Sequence, residues 1–220
     1  MARKILTGPA LVKRRDRGKS LVNVKIYVEG GGDQEGQITK CRQGFVDYCA
    51  KVAPKMRRPK IIPCGGRGPT FDKFKFAIQC GKADDLCVLL VDSEGSVGTK
   101  TPVDYLTSRD KWDFPPLQNH RVFLMVQAME AWFLADREAL AAFYDGGFLA
   151  NSLPGSPAKI EAVPKDDLEP KLKHASKPTA TKGEYHKVKH GFALLALIDP
   201  FKVENASPHA ASFHEFLRSL

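Results

Sequence analysis

Short apolar runs alternate with longer segments of helical periodicity from residue 22 onward. Four runs predict strands: 22–28, 60–63, 86–91 and 121–126. Three stretches predict the helices between them: 34–52, 71–80 and 129–143. The third run is apolar throughout, which is typical of a parallel strand buried on both faces. The alternation predicts an α/β fold, Rossmann-like in outline, with a mostly parallel sheet of about four strands flanked by helices.

Three parts of the chain depart from this alternation. Residues 1–20 are basic and lack an apolar period, so they predict a loosely attached arm. The long loop at 95–119 is interpreted as functional or locally ordered. Residues 150–183 carry five prolines and predict a linker or surface excursion. Helical periodicity then resumes in two segments, which predicts a C-terminal helical extension packed on the domain. The predicted organisation is an arm at 1–20, an α/β domain at 21–148, and a linker with the C-terminal extension at 149–220.

Composition and charge narrow the function classes. With 220 residues, 43% of them hydrophobic and 27% charged, the chain is an ordinary globular protein and too short for a multidomain machine. Its 34 lysines and arginines exceed its 25 acidic residues, and the net charge of +9 attracts polyanions such as nucleic acids. A solvated positive surface without a partner is the alternative. No apolar run approaches the ~20 residues of a membrane span or forms a secretory signal, so we expect a cytoplasmic protein.

Several familiar motifs are excluded by their spacing. The five cysteines show no CxxC pairing, so we expect buried free thiols and neither a disulfide framework nor a zinc site. Gly18-Lys19-Ser20 is not a phosphate-binding P-loop, because Lys13 stands where the first glycine is required. The glycines at 30–32 do not form a dinucleotide fingerprint, because position 35 is glutamate.

Acidic side chains follow two strands that we expect to be neighbours. Glu29 ends the first strand, and Asp92 and Glu94 follow the third. Ligands bind where the carboxyl ends of parallel strands converge, so these carboxylates are predicted to line one binding site. Because the crowded carboxylates repel one another, this site requires a cation. Mg²⁺ or Mn²⁺ supplies that charge and takes oxygen ligands. Asp33 adds a fourth carboxylate and can also cap the following helix; the alternative for each acid is a capping or loop role.

The same residues carry a family resemblance. The Val-Glu-Gly step at 28–30 and the Val-Asp-Ser-Glu-Gly step at 91–95 resemble the two signatures of the Toprim fold, which topoisomerases, primases and overcoming-lysogenization-defect (OLD) nucleases share. The segment Gln-Ala-Met-Glu-Ala-Trp-Phe-Leu-Ala-Asp at 127–136 is similar to a segment of the DUF4276 family, a Toprim-like group of prokaryotic proteins. So is Lys-Gly-Glu-Tyr-His-Lys-Val-Lys-His at 182–190. The resemblance covers 22–216.

The resemblance implies a metal site and a catalytic role for 21–148. It makes Glu29 and Asp33 the first acidic cluster, Asp92 and Glu94 the second, and Glu130 a further metal ligand. Glutamate at 94 departs from the aspartate of many Toprim proteins, which leaves direct ligation and general-base catalysis both open. Glu130 has an alternative role as an acid in the first turn of a helix. The resemblance also implies an OLD-like or ABC-type ATPase partner in antiviral defence.

Basic residues near these acids suit a phosphate-containing substrate. Arg67 lies on the second glycine loop, where it can bind nucleic acid. Lys187 and Lys189 are candidates for stabilising transition-state charge, although on a helix they point to different sides. Three further residues are predicted to contact nucleic acid: Lys182, His186 and His190. A solvated basic helix face is the alternative for the whole segment.

The sequence thus predicts a metal-dependent nuclease, a hydrolase that cleaves phosphodiester bonds of DNA. A non-catalytic Toprim-like subunit that binds nucleic acid or an ATPase is the principal alternative. A small phosphotransfer or nucleotide-processing enzyme is the third possibility. The choice of DNA or RNA, the strandedness of the substrate, the native metal and a homo-oligomeric state stay open.

Overall fold

The apolar runs form one parallel sheet in a computed structural model that describes residues 23–82, 84–115 and 121–220. The predicted arm at 1–20 lies outside these residues. The strands of the sheet are β1 (Asn23–Val28), β2 (Lys60–Pro63), β3 (Asp85–Asp92) and β4 (Val122–Met125). Their order is β2-β1-β3-β4, and every neighbouring pair is parallel. The predicted fold class is therefore confirmed.

The strand register brings the functional candidates to one edge. Val28 pairs with Leu90 of β3 and with Pro63 of β2, while Asp92 pairs with Met125. Since parallel strands run in the same direction, the residues that follow β1, β3 and β4 all emerge at this edge.

Nine α-helices surround the sheet within the described residues. They are α1 (Glu35–Val52), α2 (Arg67–Cys80), α3 (Pro102–Asp110), α4 (Met129–Phe133), α5 (Arg137–Tyr144), α6 (Lys165–Ser176), α7 (Phe192–Leu197), α8 (Pro200–Ala206) and α9 (Pro208–Arg218). A single π-helical turn, Lys187–Gly191, immediately precedes α7. No helix in these parts of the chain is long and apolar enough to cross a membrane.

Alternation along the strands sends side chains into two separate cores. Ile26, Val88 and Leu90 point to the face covered by α1 and the C-terminal helices. Tyr27, Leu89 and Val91 point to the opposite face, which α2 and α3 cover. The sheet is therefore buried on both sides, as its near-continuous apolar strands require.

The C-terminal helices complete the larger core. Helix α7 packs along α1 so closely that a Cβ added at Gly44 would lie 2.6 Å from the carbonyl oxygen of Phe192. Phe213 and Leu217 of α9 are fully buried in the same core. The tail thus packs on the sheet and α1, and it contains three α-helices where the periodicity predicted two.

The long loop at 95–119, interpreted as functional or locally ordered, contains α3. The structure corrects several other predictions. The helix predicted at 129–143 is interrupted between α4 and α5. Helix α2 begins at Arg67, so this residue is helical and does not lie on the glycine loop. The segment predicted as a linker contains α6, whose Leu168 and Leu172 are buried. Cys80 is exposed, whereas the other four thiols are buried and all five are free.

Candidate functional site

Two strained loops follow β3 and β4 at the carboxyl edge of the sheet. Glu94 and Gln127 both have a left-handed backbone, with φ values of 66° and 68°. Their main chains are joined, because the Glu94 N–H donates to the Gln127 carbonyl at 2.9 Å. Ser93 Oγ accepts a further bond from the Gln127 N–H at 2.7 Å. Strain of this kind persists where the surroundings enforce it, and it is concentrated at functional sites.

Asp92 is the most deeply placed carboxylate of this edge. Its exposure is 6%, and its Oδ1 accepts a bond of 2.8 Å from the Met129 N–H at the start of α4. Burial and the negative charge of Glu130 raise the pKa of Asp92 well above its ordinary value. Asp92 therefore keeps its proton to higher pH than an exposed aspartate does.

Glu130 lies in the first turn of α4 and faces the C-terminal part of the chain. It is 3% exposed and accepts a bond of 3.0 Å from the Tyr185 hydroxyl. The Lys187 ammonium lies 3.2 Å from Glu130 Oε1. Burial alone would lower the pKa of Lys187, but the charges of Glu130 and Asp92 raise it above its ordinary value. The π-helical turn that carries Lys187 is a form often found at functional sites.

Glu29 is held by an arginine that already has several partners. Arg67 Nη1 lies 3.3 Å from Glu29 Oε2 and donates to the Asp92 carbonyl at 2.5 Å. Its Nε and Nη2 bind the two oxygens of Asp110, each at 2.8 Å, and its guanidinium lies over the Trp112 ring. Burial raises the pKa of Glu29 above its ordinary value, in spite of the positive charge of Arg67. Arg67 thus links β1, β3, α2 and α3.

A glycine bridge places this arginine beside Glu29. Gly30 and Gly65 exchange two backbone hydrogen bonds of 2.8 and 2.9 Å, which join the loop after β1 to the loop after β2. Their φ values of 121° and 79° lie in the region that favours glycine. The bridge brings the start of α2 to the end of β1.

Glu94 is paired with a lysine that the sequence did not suggest. The Lys165 ammonium forms an ion pair with Glu94 Oε2, and Arg109 lies 4.0 Å from the same oxygen. The Lys165 N–H also donates to Gln127 Oε1 at 3.2 Å. The first residue of α6 is therefore fixed to both strained loops.

The remaining predicted residues take no part in these contacts. Asp33 is exposed, and it does not cap α1, whose N-cap residue is Gln34 without a side-chain cap. Lys182, His186 and Lys189 are exposed, and Lys182 lies over the Phe143 ring. His190 Nδ1 lies 3.1 Å from the Tyr144 hydroxyl, and the His190 ring packs against aromatic neighbours.

The donor chemistry of the edge suits a hard divalent cation, but its side chains are not arranged around one. Glu29, Asp92 and Glu130 offer carboxylate oxygens, and each influences the electrostatics of at least one of the others. Among the described residues, however, no group of three His, Cys, Asp or Glu is arranged to hold a metal ion. The three glutamates of the edge are instead paired with basic residues: Glu29 with Arg67, Glu94 with Lys165, and Glu130 with Lys187.

Two contributors escaped sequence reasoning. Lys165 lies in a proline-rich segment, yet Pro164 and the two aspartates at 166 and 167 mark a helix start. Leucines and an alanine then repeat at helical spacing, at 168, 172 and 175. Tyr185 lies within the motif at 182–190, but its phenol is uncharged at neutral pH and so carries no charge pattern that would mark it as a partner of Glu130.

Comparisons with known proteins identify one family. A family model described as "Domain of unknown function (DUF4276)" matches residues 28–218. Neither the curated proteins nor the solved structures include a match. The matched region contains Glu29, Asp92, Glu130 and Lys187, together with β2, β3, β4 and the last residue of β1. Since the model covers most of the sequence, the chain belongs to the DUF4276 family.

Proposed function

We propose that this protein hydrolyses phosphodiester bonds of DNA with the help of Mg²⁺ or Mn²⁺, in the manner of Toprim nucleases. The observation that carries the proposal is the convergence of Glu29, Asp92 and Glu130 at the ends of three neighbouring parallel strands. The strained loops at Glu94 and Gln127 favour a functional edge over a merely structural one.

The cations of the edge support a phosphate as the reacting group. Lys187 carries its ammonium to Glu130 and is half-exposed, so it can also meet a phosphate oxygen at the mouth of the site. Arg67 uses most of its donors within the protein and therefore serves best by fixing Glu29. The net charge of +9 adds electrostatic attraction to the DNA backbone that does not depend on the DNA sequence.

The carboxylates would hold the metal once they exchange their present partners. Glu29, Asp92 and Glu130 supply the oxygen ligands, while Glu94 is placed to act as a ligand or as a general base. A bound divalent ion polarises the phosphate and lowers the pKa of water. Tyr185 orients Glu130 through its hydroxyl, and Lys187 stabilises the negative charge that develops on the phosphate.

A second candidate function is a non-catalytic subunit that binds nucleic acid or an ATPase. The ion pairs Glu29–Arg67, Glu94–Lys165 and Glu130–Lys187 favour it, because they neutralise most of the edge without a metal. The resemblance to Toprim proteins extends either proposal to a cytoplasmic role in antiviral defence with an OLD-like or ABC-type ATPase. Co-purification with such an ATPase would test that extension.

Cleavage of DNA by the purified chain tests the nuclease proposal. Supercoiled plasmid and single-stranded circular DNA are incubated with Mg²⁺ or Mn²⁺, with EDTA as the metal-free control. We expect metal-dependent nicking that Glu29→Gln and Asp92→Asn each reduce by at least about 100-fold, as loss of a charge-stabilising group does. Asp72→Asn, at an exposed position on α2, is the matched control and should cleave normally. DNA binding without cleavage under all conditions would favour the non-catalytic subunit.

A further inference from the structure

A cavity of about 410 Å³ opens directly beside Glu130 and Lys187. Its far wall is the first two turns of α6, which sequence reasoning did not foresee. The volume lies within the range of about 300–1,000 Å³ typical of sites for small molecules. The cavity is thus continuous with the carboxyl edge and large enough for a ligand of its own.

The walls combine apolar surface with charged groups of both signs. Leu168 and Pro170 contribute apolar surface. Three lysines and an equal number of acids make up the charged lining: Lys165, Lys173 and Lys187 with Glu130, Asp166 and Glu169. Lys173 is paired with Glu169 at 2.8 Å, but both side chains are more than 40% exposed. A pair so exposed contributes little stability, so Lys173 can exchange Glu169 for an incoming anion at little cost in free energy. A ligand with a flat apolar part and an attached phosphate fits this lining.

We infer that the cavity holds one unpaired nucleotide of the substrate strand, next to the phosphodiester bond to be cut. The inference rests on the proposed function, since it takes Glu130 and Lys187 as the groups that meet the scissile phosphate. The base and sugar lie against Leu168 and Pro170, and the neighbouring phosphate binds Lys173. A base pair carries two nucleotides and two backbones, which a cavity of this volume does not hold.

The inference specifies the form of the substrate. A nucleotide within a duplex must leave its stack before it enters such a cavity, which costs a few kcal/mol, whereas a single strand pays far less. The protein therefore prefers single-stranded DNA, strand ends or locally unpaired sites over continuous duplex.

Binding in EDTA tests the cavity independently of cleavage. The probes are a fluorescein-labelled single-stranded DNA of about 12 nucleotides and the corresponding duplex, followed by anisotropy. We expect Lys173→Glu to weaken single-strand binding by about tenfold, equivalent to about 1.4 kcal/mol, and duplex binding far less. Lys171→Glu is the matched control, because it makes the same charge change at an exposed position of the same helix outside the cavity lining. It should change single-strand binding by less than about twofold.

A second variant guards against misfolding as the explanation. Lys173→Ala should lower the slope of log affinity against log salt by about 0.7, the loss of one phosphate contact to a single strand. Circular dichroism and thermal midpoints of both Lys173 variants should match those of the wild type. Equal losses in Lys173→Glu and Lys171→Glu, or duplex binding as tight as single-strand binding, would overturn the inference.

The two proposals fail separately. Metal-dependent cleavage without a single-strand preference would refute the nucleotide-binding role of the cavity and support the nuclease function. If the protein never cleaves but prefers single strands in a way that depends on Lys173, the cavity is a nucleotide-binding site and the nuclease function is refuted.

Discussion

At the scale of single residues, the carboxyl edge sets acids from the ends of the strands against cations from distant segments. Arg67 comes from α2, Lys165 from α6 and Lys187 from the π-helical turn. Asp92 differs from the other acids, because its hydrogen-bond donor is a neutral backbone N–H. Its burial beside Glu130 costs free energy that a purely structural position has no reason to retain.

Removing this charge should stabilise the fold. We expect Asp92→Asn to raise the free energy of unfolding by on the order of 1 kcal/mol at pH 9 and by less at pH 6. The folded wild type has a raised pKa at Asp92, so it binds a proton more tightly than the unfolded chain does. Its stability therefore falls as pH rises above the ordinary range of an aspartate, whereas asparagine has no proton to lose.

Urea unfolding followed by circular dichroism between pH 6 and pH 9 measures this difference. The exposed Asp72→Asn variant removes one charge from the surface and should track the wild type at every pH. An Asp92→Asn variant that is less stable than the wild type at pH 9 would contradict the prediction.

At the scale of elements, the sequence predicted those strands and helices whose formation depends on the local pattern of apolar and polar residues. The strands of the sheet, α1 and the parallel order follow from apolar runs and helical periodicity, and these predictions are confirmed. Glu29, Asp92, Glu94 and Glu130 could be placed near one edge because they directly follow strands or begin the next helix. The ion pair of Glu94 with Lys165 could not, since 71 positions separate its partners. Helix α6 was hidden by Pro170 in its interior.

Packing of α1 against α7 gives a prediction at this scale. Gly44→Ala should destabilise the protein by about 1–3 kcal/mol, because the new methyl group would lie 2.6 Å from a backbone oxygen that cannot move alone. Gly36→Ala on the same helix has no atom within 4 Å and should stabilise by up to about 1 kcal/mol through helix propensity. Thermal midpoints of the two variants, measured side by side, should shift in opposite directions. A Gly44→Ala midpoint equal to or above that of Gly36→Ala would show that the helices separate easily.

At the scale of the whole molecule, a buried histidine links the C-terminal helices to the domain. His214 of α9 is fully buried, with Nε2 3.0 Å from the Tyr48 hydroxyl of α1. Its Nδ1 lies 3.3 Å from Glu204 of α8, and Trp132 of α4 packs against its ring. Burial lowers the pKa of His214 to about 4, although Glu204 acts in the opposite direction.

This histidine should make the fold sensitive to acid. Between about pH 6.5 and pH 4 the unfolded chain binds a proton at position 214 and the folded chain does not, so stability falls as pH falls. The loss attributable to His214 is about 3 kcal/mol, from the separation of the two pKa values. His214→Gln keeps a donor and an acceptor but cannot titrate, so its stability should fall less over the same interval. Urea unfolding at several pH values would contradict this expectation if the two profiles ran parallel.

The pairing of α1 with α7 also has a consequence for biosynthesis. Residues 35–52 meet their main helical partner only after residue 197 has been made, and Glu130 meets Lys187, which lies 57 positions further along the chain than Glu130. Contacts so distant along the chain form slowly, because the entropy of closing a long loop is lost before the stabilising contacts form. A nascent chain that has passed α4 but not yet reached α6 therefore lacks the lysine partners of Glu94 and Glu130, and it leaves an apolar helix face uncovered. The edge completes its charge pairing only after Lys187 has been made, and until then the uncovered apolar surface is open to aggregation.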